Sequence, residues 1–147
     1  MNNYELAYLA GFFDADGCIS ISRRAQEDYK RGISYRVLID VSQKSTEVLN
    51  IFKHYWGGAI VKGTRCKRWQ AYGKTALQCL SDLLPYLRLK KAEAEVAIDF
   101  LSRKAERGNR GCRGITDDEF AQDEADYYLL RELKQQREYR GAVDGQF

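Results

Sequence analysis

No apolar run in this sequence reaches the ~18 residues that a membrane-spanning helix needs. Zinc ligands are also missing. The four cysteines, Cys18, Cys66, Cys79 and Cys112, include no C-x-x-C pair, and His54 is the single histidine. The usual zinc arrangements are thereby excluded, and the thiols read as reduced, as in an intracellular protein. The N-terminus shows no signal- or transit-peptide pattern. One charge sign is missing locally. From Lys62 to Lys74 there are five basic residues and no acid, whereas Asp117 to Glu132 holds seven acids against Arg131. With a net charge of only +3, this predicts a local anion-binding face and not a uniformly basic protein.

What is present fits one domain with a real core: 147 residues, 44% hydrophobic and 12% aromatic. The most informative stretch is Tyr8-Leu9-Ala10-Gly11-Phe12-Phe13-Asp14-Ala15-Asp16-Gly17. Small residues recur four apart at Ala7, Gly11 and Ala15, while Leu6, Leu9 and Phe13 recur at three and four. A helix with this pattern carries one bulky apolar stripe and one nearly bare stripe, along which a second helix can approach closely. Asn2 or Asn3 can cap it. The spacing predicts that it ends near Phe13, delivers Asp14 and Asp16, and stops at Gly17.

After Gly17 the period changes to two. Residues 18–24 and 33–41 alternate, predicting a long hairpin with one apolar and one polar face. Ser45 can cap a second helix reaching Trp56, which Gly57-Gly58 ends. A second strand pair is expected at 59–65 and 68–72, then helices at about 75–85 and 90–106. Residues 107–113 form a basic, glycine-rich loop that either touches phosphate or is only solvated. Thr116 to Glu119 is a capping-box pattern opening a fifth helix towards Tyr139, with a frayed tail after Arg140. The expected fold is α+β, in the order αββαββα plus two helices, with helices on one face of an antiparallel sheet. The other face suits base edges and phosphates, and strand parity assigns to it Ser20, Ser22, Arg24, Ser34, Arg36, Leu38, Asp40, Lys62, Thr64, Arg68, Gln70 and Tyr72.

Leu9 to Gly17, L-A-G-F-F-D-A-D-G, resembles the signature of the LAGLIDADG homing endonucleases, with seven identities in nine positions and Phe12 and Phe13 in place of Leu and Ile. D-A-D-G also matches the start of an EF-hand loop, but the further acids of that loop are absent. The αββαββα order agrees with the endonuclease resemblance, which covers roughly residues 4 to 106 of a single domain.

No second copy of the motif follows, so the resemblance implies a homodimer on a long pseudopalindromic double-stranded DNA site. It implies pairing of the motif helices through Ala7, Ala10, Gly11 and Asp14. It further implies Mg²⁺, with Mn²⁺ as a substitute, held by Asp16 and the backbone carbonyl of Ala15 from each subunit. Such metals would drive phosphodiester hydrolysis that leaves short 3′ overhangs. Gln43 and Lys90 match catalytic positions of the chloroplast-intron type. A third basic position of that type falls on Glu47, with Lys44 close by. The implied role is intron homing, in the cytoplasm or nucleoid or in the organelle that encodes the chain. The alternatives are a nuclease-inactive DNA- or RNA-binding protein of this fold, such as a maturase or transcriptional regulator, and a structural dimerisation domain.

Overall fold

The computed structural model describes residues 1–27, 31–108 and 114–144, with side chains up to residue 139. Residues 109–113 of the expected basic loop lie outside that description. The elements are α1 (Asn3–Asp16), β1 (Gly17–Ala25), β2 (Ile33–Gln43), α2 (Glu47–Trp56), β3 (Ala59–Lys62), β4 (Lys67–Tyr72), α3 (Gly73–Leu83), a 3₁₀ turn (Leu84–Tyr86), α4 (Lys91–Arg107) and α5 (Asp117–Asp144). One antiparallel sheet has the strand order β1-β2-β4-β3. The α+β class and the αββαββα order therefore stand, and α5 continues as helix beyond the Arg140 where fraying is expected.

Alternation builds the sheet. Ile19 and Ile21 of β1, Tyr35, Val37, Ile39 and Val41 of β2, and Trp69 and Ala71 of β4 point to the helical layer and are buried. They meet Leu9 and Phe13 of α1, Leu49 and Phe52 of α2, Leu80 and Leu83 of α3, and Ala97 and Phe100 of α4 in one core. The Trp69 indole packs 4.9 Å from the Phe52 ring and donates its N–H to the Gly57 carbonyl. Gly58 makes this approach possible. At φ 81°, a Cβ there would sit 2.5 Å from the Gln70 carbonyl oxygen.

Ser45 does not cap α2 in the expected way. The cap residue is Thr46, which makes no capping hydrogen bond, and Ser45 Oγ accepts from Glu47 N at 3.3 Å one residue earlier. The Thr116–Glu119 box forms in both directions, at 3.0 and 3.2 Å.

Candidate functional site

The motif helix runs three residues further than its periodicity predicts, so Asp14 and Asp16 stand in its last turn. Asn2 and Glu5 close its N-terminus as a capping box. Contacts from far along the chain hold the other end. Asp14 accepts from the backbone N–H groups of Arg88 and Lys90, at 2.9 and 3.0 Å. Lys90 answers by donating its ammonium to the carbonyls of Phe13 (3.1 Å) and Asp14 (2.6 Å). Helix ends leave such carbonyls without intrahelical partners, and a cation there also suits the helix dipole. Gly17 leaves the helix at φ −80°, an ordinary extended conformation, so the left-handed region is not its purpose. Its lack of a Cβ is a matter of space, because one would lie 2.5 Å from the Phe13 carbonyl oxygen.

Asp16 is exposed, and Gln43, at the end of β2, donates Nε2 to its Oδ2 at 2.8 Å. Gln43 and Asp16 are thus brought together as expected. Lys90 joins them differently. It is 3% exposed, and its ammonium is spent on the carbonyls of α1. Burial pushes its pKa below the usual lysine range and nearby Arg137 adds to this, against Glu93, Asp14 and Cys18.

The small-residue stripe is open. Ala7, Gly11 and Ala15 are exposed with Tyr4 and Tyr8, and a Cβ on Gly11 would meet nothing within 4 Å. Ala10 is a correction to the expected pairing set. It has no exposed surface and faces the chain's own core beside Leu9 and Phe13, because its small size suits either side of the helix.

Across the sheet the register decides which side chains share the face away from the helices. Ser20 pairs with Leu38 and Leu38 with Tyr72; Ser22 pairs with Arg36, Arg24 with Ser34, and Asp40 with Gln70. These residues and Arg68 form one face, as predicted. Cys18, Ser42 and Val61 also lie on it by register, though none stood among the expected contacts.

Lys62 and Thr64 are corrections. Lys62 pairs with Lys67, which pairs with Gln43, and all three share the helix-side parity of Trp69 and Ile60. Thr64 lies in the turn beyond β3, which ends at Lys62. The row Gln43–Lys67–Lys62 thus leads away from Asp16 along the end of the sheet. It borders an open cavity of about 310 Å³ lined by Thr46, Asn50 and both lysines.

The face has internal order. The Arg36 guanidinium lies 3.6 Å from the centre of the Tyr72 ring. Ser20 and Ser22 donate to the carbonyls of Leu38 and Arg36. Arg68 donates Nε to Ser42 Oγ at 3.3 Å and lies 3.8 Å from Asp40. Burial holds the Asp40 carboxyl above its ordinary pKa, opposed by Arg68 and Lys134.

Among the described residues no cluster of three or more His, Cys, Asp or Glu side chains could hold a metal ion. What one chain offers is the exposed Asp16 carboxylate beside the Ala15 backbone carbonyl, since Lys90 occupies the carbonyls of Phe13 and Asp14. Hard oxygen donors of this kind suit Mg²⁺ or Ca²⁺. No helix among the described residues is long and apolar enough to cross a membrane.

Residues 9–106 match the family model described as LAGLIDADG endonuclease. The DNA endonuclease I-CvuI of Chlorella vulgaris is 36% identical over 104 residues, a match covering 67% of this chain and 65% of that relative's own length. A crystal structure of I-CvuI in complex with its target, in the presence of Ca, superposes with a TM-score of 0.74 at 26% identity, covering 88% of this chain and 82% of that one. The archaeal intron-encoded homing endonuclease I-Vdi141I, complexed with DNA, has the same fold, with a TM-score of 0.74 at 18% identity over 89% and 84% of the two chains. With the motif helix, the sheet and the matched span all in agreement, the chain belongs to the LAGLIDADG endonuclease family.

Proposed function

We propose that the protein is a homodimeric, divalent-metal-dependent endonuclease that cuts both strands of a long pseudopalindromic DNA site and mobilises the intron encoding it. The observation that carries this reading is the 2.8 Å hydrogen bond from Gln43 to Asp16. It is made at the exposed end of a helix whose adjoining stripe of Ala7, Gly11 and Ala15 is bare. Pairing of two chains along that stripe brings two Asp16 carboxylates together at the two-fold axis. Like charges so placed favour cations between them.

Asp16 and the Ala15 carbonyl would hold Mg²⁺, which supplies an activated water and stabilises the leaving oxygen. The chain's own residues do the rest. Gln43 holds Oδ2 of Asp16 and so fixes the orientation of the carboxylate; its amide oxygen can accept from a water. Lys90 and Asp14 act as positioning residues, because they clasp the last turn of α1 to the start of α4. The open sheet face reads DNA in the major groove, with Arg24, Arg36 and Arg68 suited to guanine or phosphate, Gln70 to adenine and Asp40 to cytosine. Lys62 and Lys67, on the other parity, suit phosphates near the cleavage position.

The test is selection of cleaved sites from a random DNA library with Mg²⁺, run beside Asp16→Asn. The expected result is one enriched pseudopalindromic site with short 3′ overhangs, cut by the unmutated protein only. Binding without cleavage by the unmutated protein would move the chain to the nuclease-inactive reading. A monomer by light scattering would remove the two-fold geometry.

A further inference from the structure

α5 lies wholly outside the residues that match the family, and the proposed chemistry gives it no task. It touches β1, β2 and α4. Its contacts are ordered along its length. At its first turn, Arg31, beside the β1–β2 turn, donates to the Ile115 carbonyl at 2.8 Å, pairs with Asp117, and lies 5.3 Å from the centre of the Phe120 ring. In its middle, Asp123 accepts both Arg107 amino groups at 2.8 Å, and Asp126 pairs with Arg103. Further on, Lys134 reaches Cys18 Sγ at 3.5 Å, and Arg137 donates Nε to Glu93 at 2.8 Å.

The two end contacts belong to opposite ends of β1. Arg31 follows its far end, whereas Cys18 is next to its first residue, directly after Asp16. The lengths agree: Asp117 to Lys134 is about 25 Å of helix at about 1.5 Å per residue, and the eight steps of the nine-residue strand β1 span about 26 Å at about 3.3 Å each. Glu93 is 2% exposed and sits in the first turn of α4, just after Lys90. Its second oxygen has no hydrogen-bond partner among the described residues, so Arg137 is the cation hydrogen-bonded to it there, with Lys90 acting on it only through space. The Arg107–Asp123 and Arg137–Glu93 pairs, whose carboxylates are buried, fix register more sharply than apolar contact, which tolerates sliding; at the other end Asp117 is exposed, and Arg31 is fixed there by the Ile115 carbonyl and the Phe120 ring.

We infer that α5 is a strut that holds the Arg31 end of the β1–β2 ribbon at a fixed distance from the Asp16 end. Arg31 is then a positioning residue for DNA recognition and Arg137 a positioning residue for the catalytic end. The division of labour rests on the nuclease reading above; the strut itself does not. Loss of Arg31 frees the start of β2 from α5 while the Gly17 end stays held. Loss of Arg137 leaves Glu93 buried without its hydrogen-bonded cation, turns it towards Lys90, and so loosens the clasp behind Asp16.

The experiment compares the full-length protein with Arg31→Gln, Arg137→Gln and the conservative Arg31→Lys and Arg137→Lys. Three quantities are read: amide hydrogen exchange of the free protein, Kd for the selected DNA site, and single-turnover cleavage at saturating DNA with Mg²⁺. For Arg31→Gln the expected result is faster exchange confined to residues 22–27 and 31–36 and Kd weakened by about 10-fold, with the saturated rate within about 2-fold. For Arg137→Gln it is faster exchange confined to residues 88–97 and a rate lowered by about 10-fold, with Kd within about 2-fold. The lysine variants, which retain the charge, recover part of each loss. Equal losses of Kd and rate in both variants, exchange that rises across the whole molecule, or no change in either would overturn the strut. If the unmutated protein cuts no DNA, the nuclease reading fails and the exchange pattern decides alone: end-specific deprotection upholds the strut, and a uniform or absent change overturns it.

Discussion

α1 enters the core with Leu9, Ala10 and Phe13, each 1% exposed or less, while leaving Tyr4, Ala7, Tyr8, Gly11 and Ala15 in the open. α5 contributes Leu130 to the same core, lays Phe120 and Tyr127 within 6 Å of Tyr35, and otherwise docks by charge through Asp123, Asp126, Lys134 and Arg137. The difference is instructive. A helix that buries one apolar stripe has a second face free for another use, and small residues there invite a second backbone. A helix held by ion pairs has committed its charges to one register, and any misplacement leaves a buried charge unpaired.

Substitutions can break this contrast. The largest expected effect is on the free end of α1. On the proposed reading Asp16→Asn should lower cleavage on the order of 1000-fold, since several kcal/mol of metal-borne stabilisation would depend on that carboxylate. DNA binding and thermal stability should stay near those of the parent, because Asp16 is exposed. Gel-shift, cleavage and melting assays together check it. Next comes the buried side of α1. Phe13→Ala should cost about 3–5 kcal/mol in chemical denaturation and shift the whole transition, because Phe13 is 0% exposed at the centre of the core.

Arg107→Ala sharpens the other half of the comparison. It strips Asp123, whose side chain is 7% exposed, of its bidentate partner, and Arg103 at 3.8 Å remains as a poorer one. A loss of about 3 kcal/mol is expected, read as hydrogen exchange raised in α5 and α4 ahead of the sheet. If exchange instead rose equally everywhere, α5 would be part of the cooperative core and the contrast would fail.

Gly11→Glu asks whether the free face of α1 is in use. Its Cβ meets nothing within the chain, and glutamate is a better helix former than glycine, so the Tm should hold or rise slightly. The proposed dimer should nevertheless be lost in sedimentation. A dimer that survives would show that pairing uses another surface.

The smallest effect concerns Asp40. Its carboxyl is held above the ordinary value of 3.8 by burial, so the folded state binds its proton more tightly than the unfolded chain does. This group's contribution is therefore fully present below that value and is lost as pH rises through the raised folded pKa. At neutral pH Asp40→Asn should raise Tm by roughly 1–3 °C, with no gain at acid pH. Melting curves at two pH values decide it.

The motif helix was readable because its information is local: a stripe of bulk, a stripe of small residues and two acids at the end. Its true C-terminus was not, because the turn carrying Asp14 and Asp16 is held by Arg88 and Lys90, far along the chain. Alternation identified the open face of β1, β2 and β4 correctly, since long alternating strands admit one parity. It failed on β3, where Ala-Ile-Val-Lys has no clear period and the anchor is the pairing of Ile60 with Trp69. The acids of α5 were visible as a run of charge, but their partners Arg103 and Arg107 lie on another helix, so pattern alone could not show that the run is a docking surface. Lys90 was picked out by resemblance; that its ammonium faces α1 carbonyls and not open solvent is a three-dimensional fact.

The clasp between Asp14 and Lys90 also has a consequence in time. Its hydrogen bonds join residues 76 apart in sequence, so the last turn of α1 acquires its cap only once the chain has been extended past Lys90 and that loop has closed. A chain cut short before Arg88 carries the motif and Gln43 but lacks the clasp that holds the turn on which Asp16 stands. The turn that carries the acid near the start of the chain is thus completed only by a chain built through the start of α4.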